Sequence, residues 1–536
     1  MQLINNASKE KLRGGFYTPE PIAEFILKWG FNGSSTFDVL EPSCGDGVFL
    51  EATKNNGYQY NSITAIELDK VEAEKARKIK PDKTKIVNSD FHKYCTSTNK
   101  KFDLVIGNPP YIRYQFFDRE QQSYAAEIFN KADMKYSKLT NSWVSFVVGS
   151  SLLLKEKGRI GFVLPAEILQ VTYAQCLREY LAHHFNKINI ISFEKLVFPD
   201  IQQEVVLILC EKNSSDTHLI EHIEVKDLEG LKKLDVEKLK APKKKIDFKS
   251  NKWTFYFLSQ KEIDFLEAIQ EKDAIPKFKN FGKVEVGITT GSNPFFTVPL
   301  STVEEYDLDK FAKPLVGRSV QVPSAIFTKK DWDKNRLDGA RTHLLTFPEM
   351  ENLTEEEGAK RYISQGEALE IHKGYKCRIR DEWQMVPSLR VSDALFIRRN
   401  NLYPKLIINQ AKAYTTDTMH RVSVKPDVDI KAFTASYYNS LSLAFAEICG
   451  RSHGGGVLEL MPNEVEEIRL PYHESNAELL PIIDKAIRNN KDITEVLKIT
   501  NKKILSDNYG MSSKDIDLAD GIWRKLSLRR LNRGKK

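Results

Sequence analysis

A chain of 536 residues is too long for one hydrophobic core and points to two or three domains. Hydrophobic residues at 41% and aromatics at 10% fit a globular protein, and no 18-residue apolar run or apolar leader suggests a membrane span or a secretory signal. A net charge of +7 permits a polyanionic partner, and six scattered cysteines with no Cys-x-x-Cys pair argue against a bound metal or disulfides and for a reducing, cytoplasmic setting.

The first predicted element follows Gly14-Gly15-Phe16-Tyr17-Thr18-Pro19-Glu20-Pro21. Thr18 reads as an N-cap and Pro19 as the first helical residue, after which Ile22, Ile26 and Trp29 share a face and Gly30 closes the helix. Such a cap accounts for Thr18 without a further role. A strand over 37–40 then runs into Glu41-Pro42-Ser43-Cys44-Gly45-Asp46-Gly47 and an apolar helix start. Strand, glycine-containing loop and helix in that order let a nucleotide-like cofactor approach the backbone closely. The loop has neither the three spaced glycines of a dinucleotide fingerprint nor the Gly-Lys-Ser/Thr of a triphosphate cradle. Cys44 reads as a small side chain and not as a nucleophile.

A second strand ends in Glu67, 22 residues after Gly45, close to the spacing of an acid that grips ribose hydroxyls one strand along. A third ends in Asn88-Ser89-Asp90-Phe91, where Asp90 can accept from an adenine amine and Phe91 can pack its ring. Each acid taken alone is equally open to being a solvated strand end. The apolar run 102–107 ends in Asn108-Pro109-Pro110-Tyr111. An exocyclic or amide nitrogen is a poor nucleophile because its lone pair is delocalised. An Asn side-chain oxygen and a backbone carbonyl can accept its two N–H bonds and localise that pair. Proline stiffens the loop and removes a competing donor, and Tyr111 offers a face for a base. Positioning and hydrogen bonding suffice for such chemistry, without a Ser/His triad or a metal. The bland alternative is an ordinary strand-to-loop turn, since Asn and Pro both favour turns.

The ordered set Phe16-Tyr17-Thr18-Pro19, Glu41 to Gly47, Glu67, Asp90-Phe91 and Asn108-Pro109-Pro110-Tyr111 resembles the gamma-class DNA adenine-N6 methyltransferases of restriction–modification systems. The stretch 158–165 resembles the family's next strand, and Val197-Phe198-Pro199-Asp200 with the apolar run 205–209 resembles its final strand pair. The resemblance implies an α/β fold: a doubly wound, Rossmann-like class I S-adenosylmethionine-dependent methyltransferase domain, then a mixed α/β target-recognition domain and a helical tail. It implies that Tyr17 and Thr18 contact the methionine moiety, that Glu41, Pro42, Cys44, Gly45, Asp46 and Gly47 line the cofactor loop, and that Glu67 holds the ribose. By the same resemblance Asp90 and Phe91 bind the cofactor's adenine. Asn108 and the Pro109 carbonyl, on the Asn108-Pro109-Pro110-Tyr111 loop, take the target N6, and Tyr111 and Phe198 stack on the flipped base. Phe198 is equally readable as a core aromatic. Flipping follows from chemistry, because a paired adenine keeps its N6 inside the duplex.

Beyond the catalytic segment, expected over 1–213, eight lysines crowd between 232 and 249 around Pro242, and 214–252 reads as a linker. A target-recognition domain is expected over 253–475 and a helical, basic segment over 476–536, where Leu479, Leu480, Ile483 and Ile487 recur periodically. Leu315-Val316-Gly317-Arg318-Ser319-Val320 and Gly450-Arg451-Ser452-His453-Gly454-Gly455-Gly456 resemble segments of restriction-type recognition domains, which makes Arg318, Arg451 and His453 candidate DNA contacts. The glycine run either lets backbone approach DNA or simply turns. Arg378-Ile379-Arg380-Asp381-Glu382-Trp383 mixes guanidinium and aromatic groups, as base readers do and as a buried Trp among solvated charges also does. The last 16 residues carry seven Lys or Arg (Arg524, Lys525, Arg529, Arg530, Arg533, Lys535 and Lys536), suited to phosphate contacts or to a solubilising end.

The expected reaction is in-line attack of adenine N6 on the sulfonium methyl, in double-stranded DNA, by a stand-alone, monomeric modification enzyme whose restriction endonuclease is separately encoded. Only 13 residues precede Gly14, too few for a cleavage domain on that side. Protein-glutamine N5 methylation uses a similar loop, but its relatives carry their extra helices ahead of the cofactor loop. An rRNA adenine methyltransferase fits the long C-terminal half less well, N4-cytosine methylation fits the family order less well, and an inactive specificity subunit sits badly with intact motifs.

Overall fold

The computed structural model describes residues 17–32, 36–113, 116–137, 140–198, 204–213, 216–240, 244–246, 252–271, 274–453 and 455–533. Of the positions singled out above, Gly14, Gly15, Phe16, Pro199, Asp200, Pro242, Lys243, Lys249, Gly454, Lys535 and Lys536 lie outside these. Among the described residues no helix is long and apolar enough to cross a membrane. The chain divides into two compact units, Met1–Gln260 and Lys261–Lys536.

The first unit is built on nine strands: β1 (Asp38–Glu41), β2 (Ser62–Glu67), β3 (Thr84–Asn88), β4 (Phe102–Gly107), β5 (Leu154–Pro165), β6 (Lys187–Phe193), β7 (Val205–Glu211), β8 (Leu219–Val225) and β9 (Lys244–Lys245). They form one sheet in the order β3-β2-β1-β4-β5-β7-β6-β8-β9. The first five pair in parallel, and β7 runs antiparallel between β5 and β6. Central strands such as β4 and β7 are apolar nearly throughout because both faces are covered. β1 lies between β2 and β4, with Val39 opposite Leu104, so the strand order reverses there. In an open α/β sheet that reversal leaves a crevice beyond the carboxyl ends of the strands, where ligands bind.

Between the strands run α1 (Glu20–Phe31), α2 (Val48–Asn55), α3 (Lys70–Ile79), α4 (Phe91–Ser97), α5 (Arg119–Lys131) and α6 (Ser142–Leu152). In α1, Ile22, Ile26 and Trp29 are buried, each contributing about 1.5–3 kcal/mol before chain entropy is counted. The cap expected at Thr18 is not formed: Pro19 is the N-cap, no side chain caps the helix, and Thr18 lies one residue too early. Nor does Gly30 end it. α1 continues to Phe31, and Gly30 allows close approach to Leu104, whose Cδ2 would stand 2.9 Å from an added Cβ. α3 and α4 are capped by Asp69 and Asp90. α6 is buried on almost every side, as its all-round apolar sequence requires.

The stretch expected as a linker is in part a continuation of the sheet, with short helical turns between its strands. β8 pairs with β6 over seven residues, and Leu231, Val236 and Leu239 join the core of this unit. Apolar residues spaced among the lysines bury while Lys232, Lys233 and Lys245 remain exposed, a division that a local charge count conceals.

The second unit is mixed α/β, with a five-stranded, a four-stranded and a three-stranded sheet. The five-stranded one centres on Ala394–Ile397, flanked by Met419–Val424 and Leu406–Asn409. The helices Ile430–Tyr437 and Ser440–Cys449 are buried almost entirely, and the C-terminal helix Ser513–Arg533 packs on the second of them. Ser440 Oγ donates to Asp520 at 3.0 Å across that contact. The helical tail therefore belongs to this unit.

Candidate active site

The loop after β1 is pinned to the end of β2. Cys44 N–H donates to the Ile66 carbonyl at 2.9 Å, and Gly45 N–H to Glu67 Oε2 at 2.9 Å. The other oxygen of Glu67 accepts Asp69 N–H at 2.8 Å. Gly45 and Gly47 adopt φ of +53° and +103°, conformations that exclude most side chains, and Gly47 leads directly into α2. At the end of β4, Gly107 has φ of +150°, and a Cβ there would rest 3.6 Å from Pro42. Tyr17, at the mouth, is 56% exposed.

Glu41 closes the floor of the crevice. It is 1% exposed, and neither carboxylate oxygen has a hydrogen-bond partner among the described residues. Burial, with Glu67 and Asp46 nearby, pushes its carboxyl well above the usual range. Burial also raises Glu67 and Asp46. Three carboxyls at raised pKa around a glycine loop suit a cationic amino acid, and the methionine part of S-adenosylmethionine carries both an ammonium and a sulfonium. The residues present fit that group.

Asp90 sits at the end of β3. Burial opposes its ionisation, but contacts from His92, Gln121 and the Lys93 N–H outweigh it and hold the carboxyl at about 2. Gln121 Nε2 donates to Asp90 Oδ2 at 2.9 Å. The Phe91 ring is buried and stacks on Phe146 with centroids 4.8 Å apart, so one of its faces is taken up by packing.

The loop after β4 is fixed at several points. Asn108 Nδ2 donates to Thr18 Oγ1 at 3.1 Å, so Thr18 turns its hydroxyl to the loop in place of a helix end. Ser43 Oγ donates to the Asn108 carbonyl at 3.2 Å, and Ser142 Oγ donates to the Pro110 carbonyl at 2.5 Å. Among the described residues the Pro109 carbonyl accepts no hydrogen bond, and neither proline has an N–H. The loop thus keeps one backbone acceptor between two that are occupied. Tyr111 Oη donates to the Val163 carbonyl at 3.2 Å, and burial pushes its phenol well above the usual range. Its ring packs against the core cluster that contains Phe198, itself 4% exposed. Ser43, Gln121 and Ser142 escape a reading by motif. The only signal for Ser142 is its place at the start of an apolar helix after Asn141.

In the second unit, Arg451 and His453 share the hairpin formed with Val457–Glu459. Arg451 Nε bonds Glu464 at 3.0 Å, and His453 Nε2 meets Glu459 at 2.9 Å. Glu459 also receives Arg398 and Arg399, at 3.0 and 3.1 Å, and these contacts, His453 first, hold it at about 2. Arg318 is exposed on a loop whose Gly317 carbonyl accepts Thr418 Oγ1 at 2.8 Å, and Arg398 Nη1 reaches the adjacent Asp417 carbonyl at 3.3 Å. His453, Arg398 and Arg399 thus meet at Glu459, while Arg451 pairs separately with Glu464 and the Arg318 side chain takes part in neither cluster. Arg380, from the mixed charge and aromatic cluster, spends its guanidinium on the carbonyls of Thr289, Thr290 and Trp383, and acts as a strut. Arg530, from the basic tail, is buried against Glu447 and is unavailable to phosphate.

Residues 44–198 match the Eco57I restriction-modification methylase family, and residues 250–505 match the C-terminal domain of the type II methyltransferase M.Eco57I. The type II methyltransferase M.AccI of Acinetobacter calcoaceticus is 27% identical, over 92% of this chain and 93% of its own. M.HincII of Haemophilus influenzae is 26% identical over 52% of this chain and 50% of its own. Among solved structures, a cryoEM structure of a DrdV–DNA complex aligns with a TM-score of 0.49 at 12% identity, over 90% of this chain and 58% of that one.

Proposed function

We propose that this chain is a restriction–modification DNA methyltransferase of the Eco57I type, as its matches over 44–198 and 250–505 and its likeness to M.AccI support, and that it methylates N6 of a flipped adenine at a specific sequence in duplex DNA. The methyl donor is S-adenosylmethionine, as the methyltransferase family implies, and when bound it supplies an electrophilic methyl group. Glu41 and the loop from Pro42 to Gly47 hold its methionine end beside Tyr17 and Thr18. Glu67 takes the ribose, and Asp90 takes the adenine.

The observation that carries the reading is the state of the Asn108-Pro109-Pro110-Tyr111 loop. Ser43 and Ser142 occupy the carbonyls on either side, and the Pro109 carbonyl between them accepts no hydrogen bond among the described residues; it receives the incoming amine together with the side-chain oxygen of Asn108. An amine donating both N–H bonds to such acceptors concentrates its lone pair on nitrogen. Rigid acceptors reach this state without reorganising, which is where catalysis by positioned dipoles draws its strength. Tyr111, held through Val163, presents its face to the base, whereas Phe198, read as a second stacking ring, is 4% exposed within the core cluster and fits the core-aromatic reading. Arg318, Arg451 and His453 contact DNA from the second unit, and the protein acts as a monomer beside a separately encoded endonuclease.

Expression in a host lacking DNA methylation, followed by single-molecule sequencing, tests the reading. N6-methyladenine is expected at one sequence motif. Asn108→Ala should erase it while S-adenosylmethionine still binds with unchanged affinity. Methylated cytosine, unmodified DNA, or loss of cofactor binding in Asn108→Ala would overturn it.

A further inference from the structure

The side chains behind the Asn-Pro-Pro-Tyr loop continue, atom to atom, to the end of β3. Ser142 donates to the Pro110 carbonyl and accepts the Ile112 N–H at 3.0 Å. Its own carbonyl accepts Ser145 Oγ at 2.8 Å. Ser145 Oγ lies 2.7 Å from His92 Nε2, and since its proton is directed at Ser142, the ring nitrogen is the donor in that contact. The firm link onward is the His92 backbone N–H, which donates to Asp90 Oδ1 at 2.7 Å. His92 Nδ1, 3.3 Å from the same oxygen, makes no hydrogen bond among the described residues and pairs with it only when both ring nitrogens carry protons.

The middle of this chain of contacts is dry, while the Asp90 side chain at its end is 16% exposed. His92, Ser142 and Ser145 are each at most 2% exposed, and Phe91, Phe117 and Phe146 place their rings around the imidazole. Water cannot replace a broken link, and an unmatched buried polar group costs about 1–3 kcal/mol, so a shift at one end is transmitted or opposed. Packing alone does not call for this arrangement. Four polar side chains lie in line between two loops that face the same crevice.

We propose that His92 is a positioning residue that links the cofactor end of the site to the target-base end. Engagement of Asp90 fixes His92, His92 fixes Ser145, and Ser145 fixes the Ser142 that holds the Pro110 carbonyl. The inference rests on the reading of Asp90 as the acceptor for the cofactor's adenine and of the Asn108 loop as the site of the target amine. Coupling of this kind is reciprocal: DNA tightens the cofactor by the factor with which the cofactor tightens DNA.

Ser145→Ala cuts the chain without touching Asp90 or Asn108. The measurement is calorimetric binding of S-adenosylhomocysteine to the full-length protein, with and without a duplex carrying the motif found by sequencing. The wild-type protein should bind it about fivefold or more tighter with the duplex present. In Ser145→Ala the ratio should fall below about twofold, with affinity in the absence of DNA unchanged and single-turnover methylation about tenfold slower. His92→Phe fills the same aromatic cage without a ring N–H; it also removes a group that holds Asp90 ionised, so its affinity without DNA falls. Its ratio with and without duplex, again expected below about twofold, decides the matter if Ser145→Ala fails to fold. A wild-type ratio of one overturns the inference, and so does a variant ratio equal to that of the wild type. A wild-type protein that leaves no N6-methyladenine instead sinks the functional reading on its own account.

Discussion

Glu41 illustrates how one residue can be a cost to the fold and an asset to the site. Its carboxyl is buried without a partner among the described residues, and its pKa is raised in the folded protein. Between the unfolded and folded pKa the native state binds more protons than the unfolded chain, so this group makes stability fall as pH rises through that window. Glu41→Gln removes the effect. At neutral pH the ligand-free variant should melt about 2–4 °C above the wild type, and the gap should close as pH is lowered into the ordinary glutamate range. S-adenosylmethionine should raise the melting temperature of the wild type and not that of the variant. A variant that melts lower than the wild type at neutral pH would contradict the account.

At the scale of elements, β8 decides where the first unit ends. A chain stopped after Asn213 lacks the strand that covers β6, and with it Leu231, Val236 and Leu239 from the core. Such a truncation should aggregate, because an uncovered apolar edge strand invites pairing with other chains. A chain stopped after Gln260 should melt cooperatively and bind S-adenosylmethionine. A soluble, cooperatively melting 1–213 fragment would refute this. The strands β1, β2 and β4 were legible in the sequence because each is a largely apolar run bounded by turn residues. The end of β3 and the second half of β5 were reached through the ordered motifs, and the order of acids and glycines at the strand ends located the crevice. β8 was hidden, since its apolar positions alternate among charged ones. Thr18 was misjudged because a hydroxyl before Pro-Glu-Pro satisfies the local rule for a cap, and nothing local announces a partner at Asn108, 90 residues away. In the second unit many strands are two to four residues long and pair with distant segments, so periodicity had too little length to act on.

For the molecule as a whole, the buried pair of Arg530 and Glu447 ties the last helix into the second unit. The two meet at 2.6 and 3.0 Å, and Arg530 also donates to the carbonyls of Asn401 and Gly456 beside the Arg451 hairpin. Arg530→Ala strands a buried carboxylate and should cost about 3–5 kcal/mol of stability in urea unfolding, much of it regained on adding Glu447→Leu. No recovery in the double variant would assign the loss to the carbonyl contacts. On the function proposed, sequence choice lies with that unit, and the Asn108 loop would add a selection of its own. With Ser43 and Ser142 on the flanking carbonyls and no N–H on either proline, the loop offers the incoming base acceptors and no backbone donor from either proline. Thymine O4 or guanine O6 would set oxygen against oxygen there, while adenine and cytosine bring an amine. If the proposed reaction holds, the loop proofreads the polarity of whatever base reaches it, and an error in reading the duplex that delivers a keto base would end without methylation.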